Sequence, residues 1–157
     1  MPRRLLILLA TLGSVALLGG ALAFQYIGGL APCHLCLWQR WPHRVAIAIG
    51  VLALAMPGLA LSRALSLAGG ITALVASGLG LYHTGVERHW WEGPTTCTAG
   101  DISGVATDDL LNQIMNAPVV KCDQVAWEMW GLSMASWNMV FSLALAVLWF
   151  WAAARRD

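Results

Sequence analysis

Residues 132–154 read LSMASWNMVFSLALAVLWFWAAA, 23 positions without one Asp, Glu, Lys or Arg, closed by Arg155 and Arg156. As an α-helix rising about 1.5 Å per residue, such a run crosses the roughly 30 Å hydrocarbon core of a bilayer. Three more runs precede it: residues 64–82 carry no formal charge, 42–61 carry only Arg44, and 5–27 carry none. Glycine and serine inside them suit close helix contacts in lipid. The expected fold is therefore an all-α membrane protein, a four-transmembrane-helix bundle forming a single integral-membrane domain over residues 1–157. The first run follows Arg3 and Arg4 as a secretory signal would. It is longer than the apolar core of about 7 to 15 residues that a signal needs, and reads as a retained anchor.

Composition excludes the main alternatives. Charged residues make up 11% of the 157, against roughly 25% in a typical soluble domain, so water cannot be the main solvent of this chain. At 59% hydrophobic it is also too apolar to remain disordered. A net charge of +1, with no run of Lys or Arg, argues against nucleic acid as a partner. Membrane lipid is the expected surrounding. Arg3, Arg4, Arg63, Arg155 and Arg156 all fall on one side of a four-span arrangement. That side should be the cytoplasm, with both termini in it.

Two loops then face outward, a short one at about 28–41 and a long one at about 83–131. The long loop holds seven of the eight acidic residues. Within it Thr107 suits an N-cap, Asp108 and Asp109 the first helical turn, and Pro118 a stop. Leu110, Leu111, Ile114 and Met115 would form one apolar stripe on a short amphipathic helix over 108–117, resting in the membrane interface or on the loop's own residues. Trp90, Trp91, Trp127 and Trp130 flank membrane boundaries and read as an aromatic belt.

All four cysteines lie in those loops: Cys33 and Cys36 in the short one, Cys97 and Cys122 in the long one. An oxidising compartment is implied. Cys33-His34-Leu35-Cys36 is a Cys-x-x-Cys, too tight to staple much chain but able to form a strained, easily reduced disulfide. Half of a zinc site, completed by His34 or another histidine, is the competing reading; with no second close ligand pair in the sequence, no metal is expected. Cys97 and Cys122 enclose 24 residues, and that closure could be structural or catalytic.

Arg40 follows Cys36 by four residues, with Pro42 suited to the first turn of the second span. Its guanidinium can snorkel to the interface, or stabilise a thiolate and polarise the carbonyl of a lipid-soluble acceptor, and position alone leaves both open. Arg44 reads as an anchor. His83, at the end of the third span, reads equally as a boundary residue or a ligand.

With these residues in place the chain resembles the disulfide bond formation protein B family, membrane quinone reductases that reoxidise a soluble periplasmic thiol oxidase. Four ordered blocks carry the likeness: Pro32-Cys33-His34-Leu35-Cys36-Leu37-Trp38-Gln39-Arg40, Gly93-Pro94-Thr95-Thr96-Cys97, Val120-Lys121-Cys122-Asp123, and Gly131-Leu132-Ser133-Met134-Ala135 with Trp137-Asn138. The resemblance implies a thiol:quinone oxidoreductase of the bacterial inner membrane with Cys33, Cys36, Cys97 and Cys122 as its redox-active residues, placed in the periplasm. Cys97 would take the attack of a DsbA-type, thioredoxin-fold partner and Cys122 would be its mate. Cys33 would exchange with that pair, and Cys36 would face the quinone, ubiquinone first and menaquinone second. Arg40 and His83 would be the quinone-binding residues. Some relatives have an acid where this chain has Gln39, so that position's role stays open.

Three further readings compete, one of them a purely structural membrane scaffold with two inert disulfides. A vitamin K epoxide reductase-like enzyme also joins a helix bundle to outward cysteines and a quinone, but sets its Cys-x-x-Cys late in the chain, whereas here it is early. A non-enzymatic haem or metal carrier would use His34, His43, His83 and His89.

Overall fold

In this computed structural model the described residues form four helices in sequence, α1 (Arg3–Tyr26), α2 (His34–Ala55), α3 (Leu59–Glu87) and α4 (Met134–Ala154), with strands β1 (Glu128–Met129) and β2 (Leu132–Ser133) leading into the last. The structure describes residues 1–56, 58–94 and 121–155. The helix expected over 108–117 lies outside them.

Among the described residues α1, α3 and α4 are long and apolar enough to cross a membrane. The chain is therefore a mostly helical, multi-pass membrane protein. The first half of α2 carries Gln39, Arg40, His43 and Arg44, which sets it apart from the other three. Leu12, Val15, Val51, Ile71, Val75 and Val147 are exposed, while Ser14, Ser66 and Ser142 are buried. Large apolar side chains outside and small polar ones inside are what a lipid solvent selects, because only packing and interhelical hydrogen bonds draw helices together there.

Each helix packs mainly on two others, in the cyclic order α1, α2, α3, α4, and the α3 with α4 seam is the most extensive. Gly80 sets its closest approach. A Cβ at that position would lie 2.8 Å from the Met139 backbone nitrogen and 3.0 Å from the Ala135 carbonyl oxygen. Backbone cannot yield as a side chain can, so Gly80→Ala should destabilise the bundle by about 1–3 kcal/mol. Gly78, which has nothing within 4 Å of such a Cβ, is the control. Thermal unfolding in detergent should separate the two variants, and equal loss in both would refute this account of the seam.

Arg63 Nε donates to the Ala153 carbonyl at 3.0 Å, and Leu6, Ile7, Trp149 and Ala152 share one core cluster. The starts of α1 and α3 and the finish of α4 thus lie together. Arg3, Arg63 and Arg155 occupy that end, and the Cys-x-x-Cys lies at the opposite one.

The helix bounds differ from the span bounds at both ends of α2 and α3: α2 ends at Ala55 and α3 begins at Leu59, so residues 59–61 of the expected second span open the third helix. α2 begins at His34, so Pro42 sits inside the helix and not in its first turn. The cause is Cys33, which acts as N-cap by accepting the Cys36 N–H on its sulfur at 3.1 Å. The Cys-x-x-Cys consequently lies on a helical turn, and Pro42 only withholds a donor from the carbonyl one turn earlier. α3 runs one turn beyond His83 and stops where His89 turns to φ 56. Trp90 N–H to Gly85 O (2.8 Å) and His89 N–H to Val86 O (3.1 Å) close a left-handed C-cap of the Schellman type.

The hairpin was not legible in the sequence. Trp130 and Gly131 both have positive φ, 54 and 74, as a two-residue type I′ turn demands. Glu128 pairs with Ser133 and Met129 with Leu132. The hairpin docks on the end of α3 through Arg88, whose Nη2 donates to the Gly131 carbonyl at 2.9 Å, and Ser133 then caps α4 by accepting from Ser136 N–H.

Candidate functional site

Cys33 sulfur is buried under the start of α2, 3.5 Å from Nε2 of His83 on α3. The other ring nitrogen, Nδ1, lies 2.6 Å from the Gln39 amide nitrogen. An amide nitrogen only donates, so Nδ1 accepts and the neutral ring carries its proton on Nε2, aimed at sulfur. Gln39 Oε1 in turn accepts from Asn138 Nδ2 at 2.7 Å, and Asn138 Oδ1 lies 2.9 Å from His43 Nε2. A single hydrogen-bonded chain, His43, Asn138, Gln39, His83, Cys33, thus links α4 and α3 to both ends of the polar face of α2. Such side chains earn their place inside a bundle only when each is satisfied by the next. Gln39→Glu offers only acceptors and should move the His83 proton to Nδ1 while leaving the fold intact. The ¹⁵N shifts of the ring report the tautomer, and an unchanged pattern would contradict this assignment.

Arg40 is also buried. Its Nη1 donates to Gln25 Oε1 at 2.6 Å and its Nη2 lies 3.5 Å from the Ala21 carbonyl, which ties α2 to α1. Its Nε is buried with no hydrogen-bond partner among the described residues. Snorkelling does not account for such a placement. Arg44 is exposed, 5.0 Å from the centre of the Trp41 ring.

Cys36, Gln39, Arg40, His43, His83 and Asn138 all line one cavity of about 280 Å³ at this end of the bundle, just below the range of roughly 300–1,000 Å³ for small-molecule sites. The rest of its wall is mainly apolar, with Leu17, Phe24, Trp127 and Phe141 among the lining residues. Trp127, expected as an interface anchor, instead packs on Phe24 with ring centres 5.1 Å apart. Trp90 and Trp130 are exposed, as a belt requires. The spacing 36, 39, 40, 43 along α2 was the available signal for Gln39 and His43, which the sequence reading left without a role in the site.

Cys122 is disulfide-bonded and buried, and packs in one cluster with Cys33, Leu35 and Val86, with Cys36 and Tyr82 at its margin. A backbone group of Cys122 also hydrogen-bonds the His83 ring. Cys97 lies outside the described residues. Cys33 and Cys36 are free thiols. Their mutual hydrogen bond holds Cys36 below the ordinary thiol range, and pushes Cys33 above it with burial adding to the rise. The pair gives up one proton readily and holds the second.

His34 lies beside Trp38, ring centres 4.9 Å apart, and His89 is exposed. Among the described residues only His83 joins the cysteines, so the four histidines do not converge on a haem.

A family model described as Disulfide bond formation protein DsbB matches residues 3–152. The chain belongs to that family. Among curated relatives, Disulfide bond formation protein B of Polaromonas sp. is 31% identical over 156 residues, covering 94% of this chain and 88% of the relative. Disulfide bond formation protein B of Methylococcus capsulatus is 32% identical, covering 94% of each chain. Disulfide bond formation protein B 2 of Pseudomonas aeruginosa is also 32% identical, covering 87% of this chain and 83% of the relative. No solved structure matches. The family makes this DsbB-type chain a membrane protein of disulfide bond formation and an oxidoreductase, and sets aside the vitamin K epoxide reductase-like reading.

Proposed function

We propose that this DsbB-family protein reoxidises a DsbA-type, thioredoxin-fold oxidase of the periplasm and delivers the electrons to a membrane quinone. The observation that carries this reading is the cavity, which the half-buried Cys36 and the buried Arg40 line together. An apolar ring bearing a carbonyl oxygen suits both the greasy wall and a cation beside it. When bound, a quinone supplies the capacity to take up two electrons and two protons. Ubiquinone and menaquinone both meet that description.

The residues divide the work as follows. The partner's dithiol reduces the Cys97–Cys122 disulfide. Cys122 thiolate, next to Cys33, attacks it: the Cys122–Cys33 bond forms, the Cys33–Cys36 bond breaks, and Cys36 leaves as thiolate. A depressed thiol pKa makes it a good leaving group. Cys97 thiolate then attacks Cys122, which restores that disulfide and releases Cys33, whose sulfur is met by the Nε2–H of His83. Arg40 would orient a bound acceptor, which would take up the two electrons and two protons given up as the Cys33–Cys36 disulfide closes. The driving force is that of the known family relay, in which the soluble oxidase sits near −120 mV, about the most oxidising of such proteins, and a quinone outranks it.

The same reading places α2 across the membrane as the fourth span. The Arg3, Arg63 and Arg155 end lies in the cytoplasm with both termini, and the cysteines lie on the periplasmic side of the inner membrane. The deciding experiment is quinone reduction by the purified protein in detergent, with a reduced thioredoxin-fold oxidase as donor, on wild type and the four single Cys→Ser variants. Turnover in wild type and its loss in all four is the expected result; turnover surviving in any of them overturns the relay.

A further inference from the structure

We propose that the reduced Cys33/Cys36 pair, together with His83 and Glu87, forms a site for a thiophilic divalent cation of the zinc class, present only while the pair is reduced. The sequence offered half a zinc site and no second pair. The fold supplies one, because His83 and Glu87 stand one turn apart on α3 with Nε2 and Oε1 separated by 3.9 Å.

Sulfur of Cys33, sulfur of Cys36 and a ring nitrogen of His83 lie within 4.8 Å of one another. An ion bound tetrahedrally, at about 2.3 Å from sulfur and about 2.1 Å from nitrogen, separates such donors by about 3.6 Å. The Cys33 to His83 distance is already 3.5 Å, and rotation of one cysteine side chain draws in the third donor. Glu87 is buried and turned to the same place, its second oxygen held by the Ser133 hydroxyl. Two thiolates cancel the charge of a dication, so ion and pair enter a buried place as a neutral unit, which is the condition for burying charge at all.

The amide chain supports the ligand histidine. A ring bound to metal through Nε2 must carry its proton on Nδ1 and donate it to an oxygen. Turning both amides, Gln39 and Asn138, reverses the donors and acceptors from His43 to His83 and gives up only the long 3.5 Å contact of Gln39 Nε2 with the Leu35 carbonyl. Nδ1–H then meets Gln39 Oε1, and His43 Nε2 accepts from Asn138. The site thus has its outer support built in.

Binding releases the two thiol protons and involves no electron transfer. Oxidation to the Cys33–Cys36 disulfide removes both thiolates and expels the ion. Binding stands apart from the proposed relay; its consequence, arrest of turnover with the pair held reduced, rests on that relay. The full-length protein in detergent, reduced and kept free of oxygen, would be titrated with Zn²⁺ against a chromophoric chelator and with Cd²⁺ by thiolate-to-metal absorption. One ion per chain is expected, with binding abolished by oxidation and weakened at least tenfold in His83→Ala. X-ray absorption of the zinc-loaded wild type should show two sulfur and two nitrogen or oxygen neighbours, a readout that needs no variant. Four sulfurs would assign the ion to all four cysteines and overturn the proposal. So would absence of binding, binding that persists in the oxidised protein, or unchanged affinity in a folded His83→Ala.

Discussion

Replacing Cys36 by serine is expected to abolish quinone reduction while leaving Cys97 able to form a mixed disulfide with the reduced partner. Both cysteines of the Cys-x-x-Cys line the cavity, but Cys36 is the less buried and its thiol is held below the ordinary range, whereas Cys33 is buried against His83 and Cys122. A serine hydroxyl cannot close the disulfide that returns two electrons, so the loss should be at least about 1,000-fold, the scale on which removing a covalent nucleophile acts. The partner's attack happens on the other pair and needs nothing from Cys36. Non-reducing gels of the variant mixed with a reduced thioredoxin-fold oxidase would show the adduct, and absorbance of the quinone would report its reduction. Quinone reduction at the wild-type rate would contradict the order of the relay.

Arg40→Ala should raise the apparent KM for quinone by roughly 10- to 100-fold, the equivalent of the 1.5–3 kcal/mol that a hydrogen bond from a charged donor contributes. Exchange between the partner and the cysteines should stay within about twofold, since the buried Cys33 sulfur is met by His83 and the Cys36 N–H and not by the guanidinium. The same side chain ties α2 to α1 through Gln25, and the variant removes that link as well. Gln25→Leu separates the two effects, because it breaks the tie and keeps the guanidinium in the cavity. An unchanged KM in Arg40→Ala, or an equal rise in Gln25→Leu, would reject Arg40 as the group that holds the acceptor. Arg40→Lys should fall between wild type and alanine, as it keeps the charge and loses the planar fork.

Several residues show where reading the chain in one dimension reached and where it stopped. Cys33, Cys36, Arg40 and His83 were all candidates before any coordinates, and the fold brings them to one cavity. The two readings of Arg40 could not be separated by position, because a guanidinium at a helix end looks alike whether it reaches outward to water or inward to a ligand. Its burial and its bond to Gln25 show only that the side chain turns into the bundle. Pro42 misled, because cysteine is not among the usual capping residues, so the earlier start at Cys33 carried no familiar signal. Gln39, His43 and Asn138 were invisible as a group. Each is an ordinary polar residue in its own segment, and only their mutual hydrogen bonds give them a role.

What the sequence by itself determined is the solvent and the chemistry available. Runs of some 20 apolar residues, the positions of the arginines and the spacing of a Cys-x-x-Cys are local properties, so they survive projection onto a line. Tertiary structure alone decided which groups meet. His83 reaches Gln39 across 44 residues and Cys33 across 50, while Asn138 reaches Gln39 across 99. Those meetings depend on how four helices pack around small residues such as Gly80, and the free energy of that packing is shared among many contacts, none of them written at the positions it brings together.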